Sequence, residues 1–236
     1  MVRTRSGAGR GGRRIAVSLI LLIIVVIAAD RVGNHIAEGT AGRTIQTSQK
    51  LRSQPDVAIA GFPFFTQLAS GNFDQITVTA SDVPVGGNGV SVTFSKIRVV
   101  LDRVKVNRDF SKVHADTANA VAIVGYGELS NALGVDLSYA GNGRVKASKK
   151  ISILGQSFTP TITAAPILTS GALAFGSAEL NGAGELAGQV SQVLNNVFNV
   201  PLPLDGIPFG IKVQKLQVDA SGLVVRLGGA DLTYTK

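Results

Sequence analysis

The chain has 236 residues, of which 45% are apolar and 16% charged, and it contains no cysteine and two histidines. This composition argues against a disordered chain and excludes disulfide scaffolds, thiol catalysis, iron–sulfur clusters and cysteine-based zinc sites. The formal net charge is +8, but the first 29 residues hold five arginines and no acid, so the rest of the chain is only weakly basic.

The N-terminal segment combines a basic head with an apolar run. Residues 1–14 hold the five arginines, and residues 15–29 (IAVSLILLIIVVIAA) carry no charge. A basic region before an apolar core is typical of a signal peptide or a membrane anchor whose arginines stay in the cytoplasm. This arrangement disfavours the alternative, a nucleic-acid-binding arm. We therefore expect residues 30–236 to form a single domain in the cell envelope, outside the inner membrane.

The sequence leaves open whether the apolar run is cleaved. Fifteen helical residues span about 22 Å, short of the roughly 30 Å hydrocarbon core, which favours a signal peptide. The two alanines 28–29 before Asp30 form an acceptable cleavage site. Against cleavage, Ile27 occupies a position that prefers a small residue, and Val32 and Ile36 can continue an anchoring helix.

The apolar pattern of the exported part predicts one early helix, ten strands and one late helix. The early helix, residues 30–52, is weakened by three glycines. After Pro55 the apolar period changes to two, which predicts strands. The predicted strands are 56–60, 75–82, 90–106, 113–124, 136–140, 144–154, 159–168, 171–178, 211–219 and 222–227. Turn signals lie at 86–89, 141–143 and 219–222.

The longest predicted strand, 90–106, changes its apolar phase twice. Its apolar positions are first Val90, Val92 and Phe94, then Ile97, Val99 and Leu101, and finally Val104 and Val106. A one-residue slip in a period of two indicates a β-bulge, which bends a strand. Segment 211–219 repeats the slip. We therefore predict an α+β fold in which a strongly curved, long-stranded antiparallel sheet wraps around one or two helices.

The late helix, residues 185–199, is amphipathic. Its amide side chains lie opposite an apolar face that contains Val190, Val193, Leu194, Val197 and Phe198. Pro201 ends the helix. Two apolar clusters fall outside simple alternation, namely 61–68 (GFPFFTQL) and 200–209 (VPLPLDGIPF). Because proline cannot join a ladder, these segments either plug a core or line an apolar opening, and both alternatives stay open.

Charged and polar residues indicate no catalytic or metal site. His114 has the spacing of a surface strand residue and His35 that of a helix face, and no nucleophile and base can be paired. The basic residues Lys96, Arg98, Arg103 and Lys105 alternate with apolar ones. They predict either the solvated face of a strand or a strip that contacts anionic lipid headgroups. Nucleic acid is not expected, because no aromatic stacking pattern accompanies them.

Three segments resemble the LmeA-like phospholipid-binding proteins, a family of actinobacterial envelope proteins formerly catalogued as a domain of unknown function. The segments are 61–83 (GFPFFTQLASGNFDQITVTASDV), 125–134 (GYGELSNALG) and 202–229 (LPLDGIPFGIKVQKLQVDASGLVVRLGG), and the similarity extends over roughly 30–230. The resemblance implies a fold similar to tubular lipid-binding (TULIP-type) domains, with an apolar tunnel for acyl chains. It also implies non-enzymatic phospholipid binding that supports envelope lipid or lipoglycan assembly.

On this interpretation the expected partners are phospholipid and the membrane surface, with no cofactor. The residues expected to hold acyl chains are Phe62, Phe64, Phe65, Leu68, Val190, Val193, Leu194, Val197, Phe198, Leu202, Leu204, Ile207 and Phe209. The residues expected to contact headgroups or the membrane surface are Lys96, Arg98, Arg103 and Lys105. The alternative function is an envelope adaptor whose apolar loops bind a protein partner, which the sequence does not identify.

Overall fold

The computed structural model describes residues 11–87, 90–153, 156–169, 172–181, 202–203 and 211–235. The helices are α1 (Gly11–Ser48), α2 (Phe64–Ser70) and α3 (Tyr126–Leu133). The strands are β1 (Asp56–Ala60), β2 (Asn72–Gly87), β3 (Val90–Val106), β4 (Lys112–Val124), β5 (Asp136–Gly141), β6 (Arg144–Ser148), β7 (Ile151–Ile153), β8 (Gln156–Phe158), β9 (Thr161–Thr169), β10 (Ala172–Asn181), β11 (Leu202–Pro203), β12 (Lys212–Asp219) and β13 (Gly222–Thr235).

Two antiparallel sheets make up most of the described chain. The larger has the strand order β1-β2-β3-β4-β13-β12, and the smaller has the order β11-β10-β9-β6-β5. Strands β7 and β8 pair separately. The predicted α+β class with long antiparallel strands is confirmed. The larger sheet is open, with β1 and β12 at its edges, and it does not wrap around the early helix.

The predicted strands are recovered where alternation is regular and turn residues are distinct. Strand β3 has the predicted bounds, 90–106, and the predicted turn at 141–143 joins β5 to β6. Asn142 and Gly143 both have positive φ, which matches the twist of a two-residue hairpin. The predicted strand 144–154 was wrong in its length, because Lys149 and Lys150 interrupt it between β6 and β7.

The phase shifts of β3 are present, but they are not bulges. The buried residues follow the predicted phases, with Phe94 followed by Ile97 and Leu101 followed by Val104. However, β3 keeps one continuous register with β2 and with β4. A bulge places two residues opposite one and changes the register, so the bulge interpretation of 90–106 was wrong. Instead, β2 changes its own phase at the level of Asp82.

Residues in the left-handed region mark the lines along which the sheet changes phase. Asp82 in β2, Arg103 in β3 and Asp231 in β13 have φ of 53°, 49° and 56°. At these lines the alternation between core-facing and outward side chains moves by one residue in neighbouring strands at once. The hydrogen-bonded register between the strands therefore stays continuous. A true bulge does occur in β12, where the pairing with β13 shifts between Val213 and Lys215, as the sequence of 211–219 predicts.

The buried apolar residues of both sheets form one cluster. Its largest fully buried side chains include Phe94 of β3, Leu129 of α3, Leu173 of β10, and Leu223 and Leu227 of β13. Four of the five buried positions of β4 are alanines instead, namely Ala115, Ala118, Ala120 and Ala122, and the fifth is Val124. The inner face of this central strand therefore carries small side chains over most of its length.

The early helix and the apolar run are one continuous helix, α1, rather than two separate segments. Within α1, Ser18–Ser48 is long and apolar enough to cross a membrane by length and composition. Its C-terminal half packs against β1 and α2 at the sheet edge. Gly33 and Gly42 permit this packing, since a Cβ at Gly33 would lie 2.6 Å from the Phe65 ring and one at Gly42 2.7 Å from the Pro55 oxygen.

Candidate functional site

The candidate site begins where the apolar part of α1 meets the folded domain. Residues 18–29 are all exposed, and Asp30 is the first buried position of the described side chains. The Asp30 carboxylate accepts the Phe65 backbone N–H at 3.0 Å and the Arg31 guanidinium N–H at 2.7 Å. An acid on α1 thereby caps the first turn of α2, whose own cap residue, Pro63, supplies no side-chain hydrogen bond.

Two further polar side chains of α1 join it to the edge strand β1. Glu38 Oε1 accepts the Ile59 backbone N–H at 2.8 Å, and Asn34 Nδ2 donates to the Ile59 carbonyl oxygen at 3.2 Å. These bonds satisfy backbone groups at the open edge of the larger sheet, which would otherwise remain unpaired. The orientation of α1 relative to the domain is therefore fixed by hydrogen bonds as well as by glycine packing.

Helix α2 divides the phenylalanine cluster between the core and the surface. This helix is not among the elements that the sequence predicts, and it begins at Phe64. Phe64 is 2% exposed and belongs to the core cluster, whereas Phe65 is 50% and Leu68 38% exposed on the outer side. Phe62, just before α2, is 58% exposed, with the Arg31 guanidinium 5.1 Å from its ring centroid.

Gln67 holds the inner side of α2 in place. Its Nε2 donates to the Ala60 carbonyl oxygen at 3.3 Å, and its Oε1 accepts the Asp74 backbone N–H at 2.9 Å. The α2 C-terminus is closed by Gly71, whose carbonyl oxygen accepts the Val106 backbone N–H at 2.8 Å. Because these bonds fix the roll of the helix, the outward direction of Phe65 and Leu68 is built into the fold.

A cavity of about 590 Å³ lies beside α2. Its wall includes the apolar side chains of Leu68, Phe73, Val106 and Phe110, and Asn107 and Arg108 supply polar groups. Its volume falls in the range of small-ligand sites, and its lining mixes polar with apolar groups. Phe110 lies in the turn between β3 and β4, with φ of 57°, and it is 61% exposed. Phe110 was not among the site residues expected from the sequence, because nothing in the sequence places this turn beside 61–68.

A second cavity, of about 310 Å³, lies between the C-terminal end of α3 and the strands β5 and β6. Its lining is polar and includes Ser130, Asn131, Asp136, Lys149 and Lys150. It is thus chemically distinct from the cavity beside α2, and it does not offer the apolar wall that an acyl chain requires.

The predicted basic strip lies on the outer face of β3. Lys96, Arg98, Arg103 and Lys105 are all exposed. Arg103 Nε is 2.6 Å from Asp116 Oδ2, and this hydrogen bond with the guanidinium lowers the pKa of Asp116 below its ordinary value. Arg103 is therefore engaged on the sheet surface, whereas the other three basic side chains form no ion pair with residues that the structure describes.

The described part of the site contains four of the expected acyl-chain residues, namely Phe62, Phe64, Phe65 and Leu68. Leu202 is described only as a backbone partner of Leu173 between β11 and β10. Outside the described residues lie the late helix 185–199 and the following cluster, with Val190, Val193, Leu194, Val197, Phe198, Leu204, Ile207 and Phe209. Their predicted roles stay predictions.

The titratable side chains His114 and Tyr126 form contacts within the fold. His114 Nδ1 lies 3.2 Å from the Thr233 hydroxyl, and its Nε2 lies 3.4 Å from Asp116 Oδ1, on the outer face of the sheet. Among the described residues, no group of three or more histidine, cysteine, aspartate or glutamate side chains is placed to hold a metal ion. Burial raises the pKa of Tyr126 to about 12, and its hydroxyl donates to the Asp219 carbonyl oxygen at 2.6 Å.

Comparison with known proteins identifies the family. The family described as LmeA-like phospholipid-binding matches residues 28–228, which is most of the chain. No curated protein and no solved structure matches. The match begins in the apolar part of α1 and includes the junction with β1, helix α2 and both sheets. The chain therefore belongs to the LmeA-like phospholipid-binding family.

Proposed function

We propose that this protein is a non-enzymatic phospholipid carrier of the cell envelope. It holds acyl chains in its apolar interior and exchanges phospholipid with the membrane that α1 enters. The observation that carries this proposal is the junction at Asp30. There, an apolar helix able to span a bilayer leads directly to outward phenylalanines and to a cavity with a partly apolar wall. Membership of the family supports phospholipid binding, and our proposal adds the exchange of phospholipid with the membrane.

The energetics of acyl-chain burial support retention of a lipid. Each methylene group removed from water contributes roughly 0.8 kcal/mol, so part of one chain in an apolar cavity outweighs the cost of ordering it. The cavity beside α2 supplies part of this surface through Leu68, Phe73 and Phe110. In the proposal, the apolar face of 185–199 and the cluster at 202–209 supply the remainder.

The polar part of the lipid has two sets of basic partners in this proposal. Arg31 and Arg108 lie at the junction and the cavity, where a headgroup follows its acyl chain. Lys96, Arg98 and Lys105 face outward on β3, and Arg103 completes this strip while paired with Asp116. Basic side chains at a surface attract anionic headgroups by about 1 kcal/mol each.

Lipid extraction from purified residues 30–236, followed by mass spectrometry, tests the binding. This fragment keeps every junction contact from Asp30 onward, and it lacks residues 18–29, which are exposed. We expect co-purified phospholipid and transfer of labelled phospholipid between vesicle populations. A folded fragment that stays free of lipid and takes up none from vesicles would contradict the carrier and favour the adaptor. Lipid binding without transfer would retain the family property and remove the exchange step.

A further inference from the structure

We propose that Phe62, Phe65, Leu68 and Phe110, here named the phenylalanine ridge, insert into the headgroup–acyl boundary of the bilayer that α1 spans. The cavity beside the ridge then opens toward that bilayer and receives acyl chains from it. The entry of acyl chains into the cavity rests on the proposed exchange function. The docking of the ridge itself rests on the geometry of the junction between α1 and α2.

The length of α1 places the ridge at the membrane surface. The apolar run 15–29 covers about 22 Å of a hydrocarbon core roughly 30 Å thick. The remaining distance of about 8 Å corresponds to about five more helical residues, which carries the boundary toward Asn34. The outward side of this stretch stays apolar, with Val32 60% and Ile36 62% exposed. Since the Phe65 ring contacts α1 at Gly33, the ridge lies at this same level.

The charges at this level are compensated, as a membrane boundary requires. The Asp30 carboxylate, next to the apolar run, is buried and is bonded to the Arg31 guanidinium and to a backbone N–H of α2. Arg31 also donates to the Gly61 carbonyl oxygen at 3.3 Å and lies over the Phe62 ring. Arg31 lies three residues, or about 5 Å, before the boundary at Asn34, and a guanidinium on its apolar stem reaches the headgroup region from there. The arrangement therefore fits a lipid surface better than bulk water.

Phe110 combines an unfavourable backbone conformation with an exposed ring. A bulky residue with φ of 57° is unfavourable, and asparagine or glycine adopts this conformation more readily. Its ring is nevertheless 61% exposed, so the fold gains little from burying it. Phe110 shares a cavity with Leu68 and Arg108, which places it at the same edge of the domain as α2. Contact with a bilayer gives this exposed ring a partner that the domain does not provide.

A single-tryptophan measurement on the full chain tests the docking. The chain contains no tryptophan, so Phe62→Trp introduces one reporter at the ridge. Tyr139→Trp is the matched control, because Tyr139 is exposed on β5. Strand β5 contacts β12, which lies five strand spacings, or about 24 Å, from β1. Both variants are reconstituted into vesicles of phosphatidylcholine and phosphatidylglycerol that contain phospholipid brominated near the headgroup end of the chain.

We expect the fluorescence of the Phe62→Trp variant to shift to the blue and to be quenched several-fold more than that of the control. Equal quenching and equal spectra of the two variants would overturn the docking. The quenching measurement tests docking and does not require that the protein carry lipid. Lipid extraction from residues 30–236 tests lipid binding and does not require a bilayer. Failure of the ridge and failure of the proposed function are therefore distinguishable.

A second variant, Phe110→Asn, separates docking from folding. Asparagine adopts the left-handed backbone more readily, so we expect the melting temperature to stay equal or to rise. Loss of one inserted phenylalanine should lower the rate of phospholipid exchange with the same vesicles by about tenfold. Exchange at the unaltered rate in this stable variant would remove Phe110 from the ridge and contradict the proposal.

Discussion

At the scale of single residues, the three phenylalanines at 62–65 have different roles despite their adjacency. Phe64 is packed in the core, whereas Phe62 and Phe65 face outward. We predict that Phe64→Ser lowers the free energy of unfolding by about 3 kcal/mol or more, as buried phenylalanine truncations do. Phe62→Ser should cost under about 1 kcal/mol. Urea denaturation of both variants checks this, and equal losses would mean that Phe62 also belongs to the core.

Tyr126 predicts a dependence of stability on alkaline pH. Its pKa is about 12 in the folded chain and about 10 as a free side chain. Between about pH 10 and pH 12 the folded state therefore retains the phenolic proton while the unfolded state loses it. The contribution of Tyr126 to the free energy of unfolding is full below pH 10 and is lost as the pH rises toward 12. Unfolding titrations at several pH values should show this loss in the parent chain and not in Tyr126→Phe. An identical alkaline decline in both chains would contradict the assignment.

At the scale of elements, the sequence predicts each strand by its own alternation but not the cooperation between strands. The phase shifts of β3 are visible in the sequence, yet their form depends on β2 shifting at Asp82 in the same register. Helix α2 was missed for a related reason. Its cap, Asp30, and its anchor to Asp74 come from other elements, so a seven-residue segment carries no helical signal by itself.

The glycines of α1 illustrate the same limit. Their helix-weakening effect is a local property that the sequence shows. Their packing role depends on Phe65 and Pro55, which only the folded chain brings to Gly33 and Gly42. The residues proposed to contact lipid also divide into expected and unexpected ones. The proposed phenylalanine ridge joins the expected cluster 62–68 to the turn residue Phe110, which the sequence analysis did not include.

Strand β4 offers a matched pair of substitutions on its two faces. Ala120 is buried between Val99 and Leu227 of the neighbouring strands, whereas Val121 is 38% exposed on the outer face. We predict that Ala120→Leu costs about 1–3 kcal/mol through overpacking, and that Val121→Leu changes the free energy of unfolding by less than about 0.5 kcal/mol. Chemical denaturation measures both. An Ala120→Leu variant as stable as the parent would show that the core has unfilled volume next to the buried alanines of β4.

At the scale of the whole molecule, the N-terminal charge predicts the topology. Five arginines before the apolar run should retain the N-terminus in the cytoplasm and place the sheets outside. A reporter that is active only outside the cytoplasm, fused after Lys236, should therefore be active. Activity of a cytoplasmic reporter at the same position would contradict this orientation.

We expect the folded domain itself to hold phospholipid. Native mass spectrometry of residues 30–236 tests it most directly, because the bound lipid is weighed together with the protein. The expected result is a folded species heavier than the polypeptide by the mass of phospholipid, and loss of this mass difference on denaturation. A folded domain that shows only the polypeptide mass, both as purified and after incubation with phospholipid vesicles, would mean that the domain holds no phospholipid.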